Sequence, residues 1–232
     1  MRLHGKTLHL FCSCDGVRVN NSMTRKLIYL VATLCVALAV YEAYAVAVAY
    51  KNLSHEFEPY ESKTLMDIGL SEERKEILIK VQDPAFFEHT GIEWPSPLTT
   101  TTITQSLVKK LFFEKFTKGF KKIEQTLIAR FVVHPNISKE TQLVAFVSTA
   151  YFGEMDGKQL FGISEGARSW FDKSLSELTD DEYLSLIAML PAPDALKPGT
   201  AASEERVGRI KKVLSGECIY EHVSRIFLDQ CS

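Results

Sequence analysis

Residues 101–113 read TTITQSLVKKLFF. Ile103, Leu107, Leu111 and Phe112 recur at helical spacing and share one face, while Lys109 and Lys110 point elsewhere, so an amphipathic helix is predicted. Downstream, KKIEQTLIARFVV (121–133) repeats the pattern with a stripe of Ile123, Leu127 and Phe131. KETQLVAFVSTAYF (139–152) is almost wholly apolar after its first turn and predicts a buried helix. LTDDEYLSLIAMLPAP (178–193) opens on a capping box from Thr179 to Glu182 and stops at Pro191. SEERVGRIKKVL (203–214) has Ser203 as a candidate N-cap and an apolar face of Val207, Ile210 and Leu214. No segment alternates over six residues, so everything beyond a boundary near residues 51–60 is expected to be all-α.

Upstream the character changes. LIYLVATLCVALAVYEAYAVAVAY (27–50) carries one charge, Glu42. At ~1.5 Å per residue such a run reaches ~36 Å, enough to cross a ~30 Å hydrocarbon core. A cleaved signal peptide is the rival reading, but its apolar region would be ~7–15 residues. Tyr29 and Tyr50 sit near the ends, as interfacial aromatics do. Arg2, Lys6, Arg18, Arg25 and Lys26 precede the run, while Lys51 and then Glu56, Glu58 and Glu61 follow it. The positive-inside rule therefore keeps the N-terminus in the cytoplasm and sends the rest outward. Glu42 is the anomaly, since a carboxylate on a span costs about 2.5–3.5 kcal/mol on insertion scales. It is read either as protonated and tolerated or as contacting another membrane helix. The expected organisation is a tail (1–26), a transmembrane helix (27–50), a main domain (51–200) and a C-terminal helical segment (201–232).

Composition excludes some classes. The chain has 232 residues, 24% charged and 46% hydrophobic, with net charge −2, so nothing points to a nucleic-acid partner held by bulk charge. Of five cysteines, Cys12 and Cys14 fall in the tail and Cys35 in the span; Cys218 and Cys231 would face an oxidising compartment and are a candidate disulfide. The CSC pair is too short for a zinc site, which needs four ligands.

Polar groups with chemical potential gather in VQDPAFFEHTGIEW (81–94), which holds Gln82, Asp83, Glu88 and His89. Lys109 and Lys121 lie on two helices that could face each other, and Glu124 follows Lys121 by one turn. As a bare helix pair, Lys121 and Glu124 would be worth only about 0.2–0.5 kcal/mol.

The order and spacing of these pieces resemble the family 51 glycosyltransferases, the transglycosylase domains of bifunctional penicillin-binding proteins and of monofunctional transglycosylases. QDPAFFEHTG matches that family's first motif, E-D-x-x-F-x-x-H-x-G, at Asp83, Phe86, His89 and Gly91. TTITQ keeps Thr102, Ile103, Thr104 and Gln105 of the second motif, with Lys109 and Leu111 after it. FKKIE keeps Lys121 and Glu124 of the third motif, R-K-x-x-E, and GISEGARSWFDKSLSEL followed by LPAP echoes later segments. The resemblance covers about residues 60–200. It implies a lysozyme-like, mostly helical fold beside the bacterial inner membrane, with a single pass and a periplasmic domain. The implied reaction joins lipid II into glycan strands: the acceptor 4-OH attacks the lipid-linked C1 and a polyprenyl pyrophosphate leaves. By resemblance, position 82 is the general base, with Asp83 beside it and Glu124 near the leaving group. His89, Thr102, Thr104, Gln105, Lys109 and Lys121 are substrate-binding. The residues themselves specify no cofactor; the resemblance admits a divalent metal, Mg or Mn. Implied partners are lipid II or a glycan strand, the inner membrane, and a separate transpeptidase or other cell-wall protein.

The departures fall on the chemistry. Gln82 stands where the base would be, and an amide accepts no proton. Phe120 replaces the Arg of the third motif. Val144, Phe146 and Ser148 replace the Glu, Tyr and Asn of the fourth, and Thr99, Thr100 and Ser106 replace Gly, Gly and Gln of the second. The favoured expectation is a degenerate site on an intact scaffold, weakly active or inactive, that acts as a binder or regulator. A second reading is an active polymerase with Asp83 or Glu88 as substitute base. A third is a lysozyme-like hydrolase using two carboxylates, for which Glu88 and Glu124 are the candidates.

Overall fold

The computed structural model describes residues 21–94, 101–117, 119–219 and 226–231. The tail cysteines Cys12 and Cys14, the basic residues Arg2, Lys6 and Arg18, and Thr99 and Thr100 lie outside them. The chain divides into two units, Met1–Tyr41 and Glu42–Ser232.

The apolar run belongs to a 41-residue helix, α1 (Asn21–Glu61), which is longer than the expected span and continues past its boundary at residue 50. Residues 22–41 are exposed along their whole length. In the second unit the same helix turns one stripe inward, with Glu42, Ala49, Leu53 and Phe57 all buried. These recur at helical spacing, and the apolar members pack with Leu107, Val108, Ile128, Val132 and Val133 in one hydrophobic cluster.

The rest of the second unit follows from caps and stripes. α2 (Glu72–Gln82) starts at Ser71, whose hydroxyl accepts the Arg74 N–H, and carries Glu72 and Glu73 in its first turn, where they suit the helix dipole. α3 (Ile103–Leu111) is opened by a capping box between Thr102 and Gln105. α4 (Phe120–Ile128) runs into a π-helical turn at Ala129–Val133 and a short α5 (His134–Asn136). α6 (Lys139–Thr149) is capped by Ser138 and buries Leu143, Val144, Ala145 and Val147. α7 (Ile163–Phe171) precedes α8 (Asp180–Met189), whose Thr179–Glu182 capping box forms as expected. α9 (Ala201–Ser215) ends at Gly216, left-handed with φ 84°.

A second, larger cluster joins α2, α6, α7, α8 and α9 through Leu78, Val81, Leu143, Ala167, Leu186, Ile187, Ile210 and Val213. At about 1.5–3 kcal/mol for each fully buried aliphatic side chain, these two clusters are the main source of stability. Arg74 fastens α2 across them, its guanidinium donating to the carbonyls of Leu175 and Leu178, while the Tyr183 hydroxyl donates to the Arg74 carbonyl.

Three expectations are corrected. The chain is mostly helical but not all-α: β1 (Tyr151–Met155) and β2 (Lys158–Phe161) form an antiparallel hairpin. Its turn is Asp156-Gly157, with φ 53° and 77°, the pair that a two-residue hairpin turn with positive φ favours. Strands of five and four residues are too short to show alternation over six. Ser203 is not the N-cap of α9; Thr200 is, and its hydroxyl accepts the Ser203 N–H three residues on. The third concerns α4. Instead of Ile123, Leu127 and Phe131, the inward residues are Glu124, Gln125, Thr126, Ile128, Ala129, Val132 and Val133, and Phe131 is 59% exposed. Upstream of the π turn, Gln125 and Thr126 face inward because they bond Gln105 of α3, and the π turn at Ala129–Val133 then changes the period, so that Val132 and Val133 are buried and Phe131 is not.

At the far end, Cys218 and Cys231 are joined by a disulfide across 5.6 Å between Cα atoms, and Cys231 is buried in the larger cluster. Closing a loop of this length contributes about 3 kcal/mol in the chain-entropy account. Thiol labelling of the denatured, unreduced second unit is expected to modify neither sulfur, and reduction is expected to lower the unfolding free energy by about that amount. Quantitative labelling of both cysteines would refute the link.

Candidate active site

Gln82 ends α2, where the helix turns its last residue into the core. It is 4% exposed, and its amide donates to the Ile187 carbonyl in α8 at 3.2 Å. The side chain thus spans two helices of the larger cluster, and it does so with a donor that an ionised carboxylate lacks.

Asp83 follows as the C-cap of α2 and is 1% exposed. Its Oδ2 accepts the Ile103 N–H at 2.9 Å, placing negative charge at the N-terminus of α3. His89 Nε2 lies 3.0 and 2.9 Å from the two carboxylate oxygens, and the Gly91 N–H donates to His89 Nδ1 at 3.1 Å. Nδ1 is therefore an acceptor and Nε2 carries the proton that Asp83 accepts. Gly91 has φ 88°, and a Cβ there would stand 2.7 Å from the Ala129 carbonyl oxygen, so only glycine passes. The Lys139 ammonium lies 4.3 Å from the Phe86 ring; burial pushes it down to about 8, and nearby Asp83 opposes that shift.

Thr102, Thr104 and Gln105 of TTITQ are wholly buried, while Thr101 is exposed. Thr102 donates to the Gly91 carbonyl at 2.8 Å, Thr104 to Gln142 Oε1 at 2.7 Å, and Gln105 to the Thr126 hydroxyl at 3.0 Å. Gln125 of α4 donates to the Gln105 carbonyl. Thr102, Thr104 and Gln105 thus lock the first-motif loop, α3, α4 and α6 together, rather than presenting their side chains to an open surface.

The lysines are different. Past Leu111 the helix stops, so Phe112, Phe113 and Phe116 lie on an irregular stretch, and Phe113 and Phe116 meet edge to face at 5.5 Å. Lys109 Nζ lies 5.4 Å from the Phe116 ring centroid and Lys121 Nζ lies 4.9 Å from that of Phe113, so the two lysines flank one aromatic pair. Lys121 also donates to Glu124 Oε2 at 2.9 Å; Glu124 is 9% exposed. Lys122, which motif reading passed over, donates to the Thr101 hydroxyl at 3.2 Å. Burial and then repulsion from Lys109 push its ammonium down to about 8. Consecutive lysines at 121 and 122, opposite a third at 109, were the signal available in the sequence. Phe120, in place of an arginine, is 68% exposed.

The donor set does not suit a divalent metal. Among the described residues no three His, Cys, Asp or Glu gather, Asp83 is taken up by His89 and Ile103, and Glu124 is bonded to Lys121. Of the fourth-motif positions, Val144 is 2% exposed in the apolar core and Ser148 lines a cavity of about 880 Å³ with Lys63, Asp67, Ser164 and Arg168. None of the expected site residues lines that cavity. Glu88 is exposed.

Comparison with known proteins bears on this arrangement. The sequence profile of the family described as Transglycosylase matches residues 51–216. A biosynthetic peptidoglycan transglycosylase of Aromatoleum aromaticum is 26% identical over 156 residues, covering 61% of this chain and 63% of that protein. Penicillin-binding protein 1F of Bacillus subtilis is 28% identical over 138 residues, 53% of this chain and 19% of that protein. Penicillin-binding protein 1B of Buchnera aphidicola is 25% identical over 135 residues, 52% of this chain and 18% of that protein. The chain therefore spans less than two thirds of the relatives it matches.

Proposed function

The chain belongs to the transglycosylase family of cell-wall glycosyltransferases, and from that premise we propose that it binds the diphosphate of a lipid-linked saccharide but joins sugars slowly or not at all. The observation that carries the binding half is the crowding of Lys109, Lys121 and Lys122. Burial, and then repulsion from Lys109, depress the affinity of Lys122 for its own proton, and like charges in a partly buried place are relieved by an anion. A departing or resting diphosphate needs fixed positive charge of this kind.

The other half rests on Gln82. A sugar hydroxyl becomes an adequate nucleophile when a positioned base takes its proton, and loss of such a base typically lowers rates by about 10²–10⁴. Asp83 is a poor substitute, since its oxygens already accept from Ile103 and His89 and it is 1% exposed. Lipid II or the glycan strand is the ligand this reading assigns. The exposed part of α1 (22–41) is the membrane anchor, with the second unit on the periplasmic side of a bacterial inner membrane. Crosslinking falls to a transpeptidase partner.

The pH dependence of binding tests the lysine site. Lys122 is charged below about 8 and loses its proton above it. Affinity for inorganic pyrophosphate, followed by calorimetry at fixed ionic strength, is expected to fall severalfold from pH 7 to pH 9. Lys122→Arg, charged throughout, is expected to flatten that fall. An identical decline in the two proteins would remove Lys122 from the site.

A further inference from the structure

The cavity of about 880 Å³ beside Ser148 shares no residue with the lysine cluster or the first-motif loop. Its floor is apolar, with Val147, Ile163 and Leu175 all buried. Its walls meet closely. Gly162 has φ 89°, and a Cβ there would stand 2.9 Å from the Ser148 carbonyl oxygen, while the Ser164 hydroxyl donates to the Ile68 carbonyl at 3.2 Å. Two acids, Asp67 and Glu165, and two bases, Lys63 and Arg168, complete the lining. The acids are engaged. Asp67 Oδ2 accepts the Thr64 N–H at 2.7 Å and its hydroxyl at 2.8 Å, and Glu165 accepts from Lys158 at 2.7 Å. The bond to Lys158 holds the Glu165 carboxyl below its usual range, with Arg168 the least of the causes. The Lys63 ammonium lies 6.0 Å from the Tyr60 ring centroid, and among the described residues neither it nor the Arg168 guanidinium has a hydrogen bond or ion pair. Three bases, Lys63, Lys158 and Arg168, thus stand against two acids.

We propose that this cavity is a second binding site, for a short peptide that ends in a free carboxylate. It goes beyond the diphosphate reading and does not depend on it. A guanidinium fork holds a carboxylate through two parallel hydrogen bonds, and Lys63 adds a second positive charge. The volume falls within the roughly 300–1,000 Å³ of small-molecule sites, far more than a lone inorganic anion fills. The apolar floor takes a small aliphatic side chain, and the hydroxyls of Ser62 and Ser148 can bond the peptide amides. A sugar ring fits less well. The one aromatic side chain in the lining, Phe161, has the Lys110 ammonium 3.6 Å from its centroid and Tyr151 packed at 5.4 Å, so it offers little open face for stacking.

The test uses the full chain in detergent micelles and calorimetry at low ionic strength. The probes are N-acetyl-alanyl-alanine, its C-terminal amide and inorganic pyrophosphate. The acid is expected to bind saturably with a Kd of about 1 mM, and the amide about 10-fold more weakly. Arg168→Ala and Lys63→Ala should each weaken the acid by about 3–10-fold and leave the amide unchanged, with Arg168→Lys, which keeps the charge without the fork, in between. Both side chains are exposed, so melting temperatures should not move. Equimolar pyrophosphate, the probe of the lysine cluster, should leave peptide binding unchanged, so the two readings fail separately. Equal binding of acid and amide overturns the proposal, as does an absence of saturation by about 10 mM. Indifference to both cation variants, or displacement by equimolar pyrophosphate, overturns it too. Tighter binding of N-acetylglucosamine than of the acid, lost in Arg168→Ala, would give the cavity to a sugar instead.

Discussion

Gln82→Glu is expected to destabilise the protein at neutral pH and to leave polymerisation absent. The amide donates to the Ile187 carbonyl in a site that is 4% exposed. An ionised carboxylate there would face a carbonyl oxygen with no proton to offer, so the loss is the hydrogen bond plus the burial of a charge. Leaving one buried polar group unsatisfied costs about 1–3 kcal/mol, and more when it is charged. The group escapes by keeping its proton, which raises its folded-state pKa above the unfolded value of about 4.3. Its penalty is therefore absent at pH 4 and grows as pH rises toward 7. Thermal unfolding of the two proteins across that range should show the gap opening with pH, by several degrees at the top. Equal stability at pH 7 would mean that Gln82 is not held as described. Even a folded Gln82→Glu lacks the clamp lost at Phe120 and the carboxylate lost at Val144.

The second large effect concerns affinity. Lys109→Ala and Lys121→Ala are each expected to weaken binding of a lipid-linked diphosphate by about 10–100-fold, since a hydrogen bond to a charged group is worth about 1.5–3 kcal/mol. Both side chains lie at the rim of the Phe113–Phe116 pair, so their removal should leave the fold intact. Gln82→Ala, in contrast, should cost stability and little affinity. Surface binding with immobilised lipid diphosphate, run beside melting curves, separates the two patterns. Loss of affinity in Gln82→Ala with none in the lysine variants would invert the assignment.

Much of the fold was legible because caps and stripes act locally. The Thr179–Glu182 box and the apolar face of α3 follow from spacing alone. What spacing cannot carry is a change of period. Glu124, Gln125 and Thr126 already face inward before the π turn, so the inner face of α4 is polar where it meets Gln105, and the turn after Ile128 then breaks the period that would place Phe131. The Asp156-Gly157 turn was written in the sequence, but flanking strands this short offer too few residues to register. At the site, residue identity pointed to Lys109 and Lys121 and to the missing base. It gave no hint that Thr102, Thr104 and Gln105 spend their side chains inside the scaffold, because a hydroxyl that binds substrate and one that ties helices read alike. Lys122 was missed as a site residue for a related reason: its significance lies in which charge stands near it, and only the packing of α3 on α4 decides that.

The central claim is binding without efficient synthesis. It is tested most directly by giving the full-length wild-type protein lipid II and measuring bound lipid and glycan strands in the same reaction. The expected result is saturable binding that Lys109→Ala and Lys121→Ala each weaken by about 10–100-fold, with strand formation at or near the protein-free background. Strand synthesis by the wild-type protein at the rate of an active family member would contradict it.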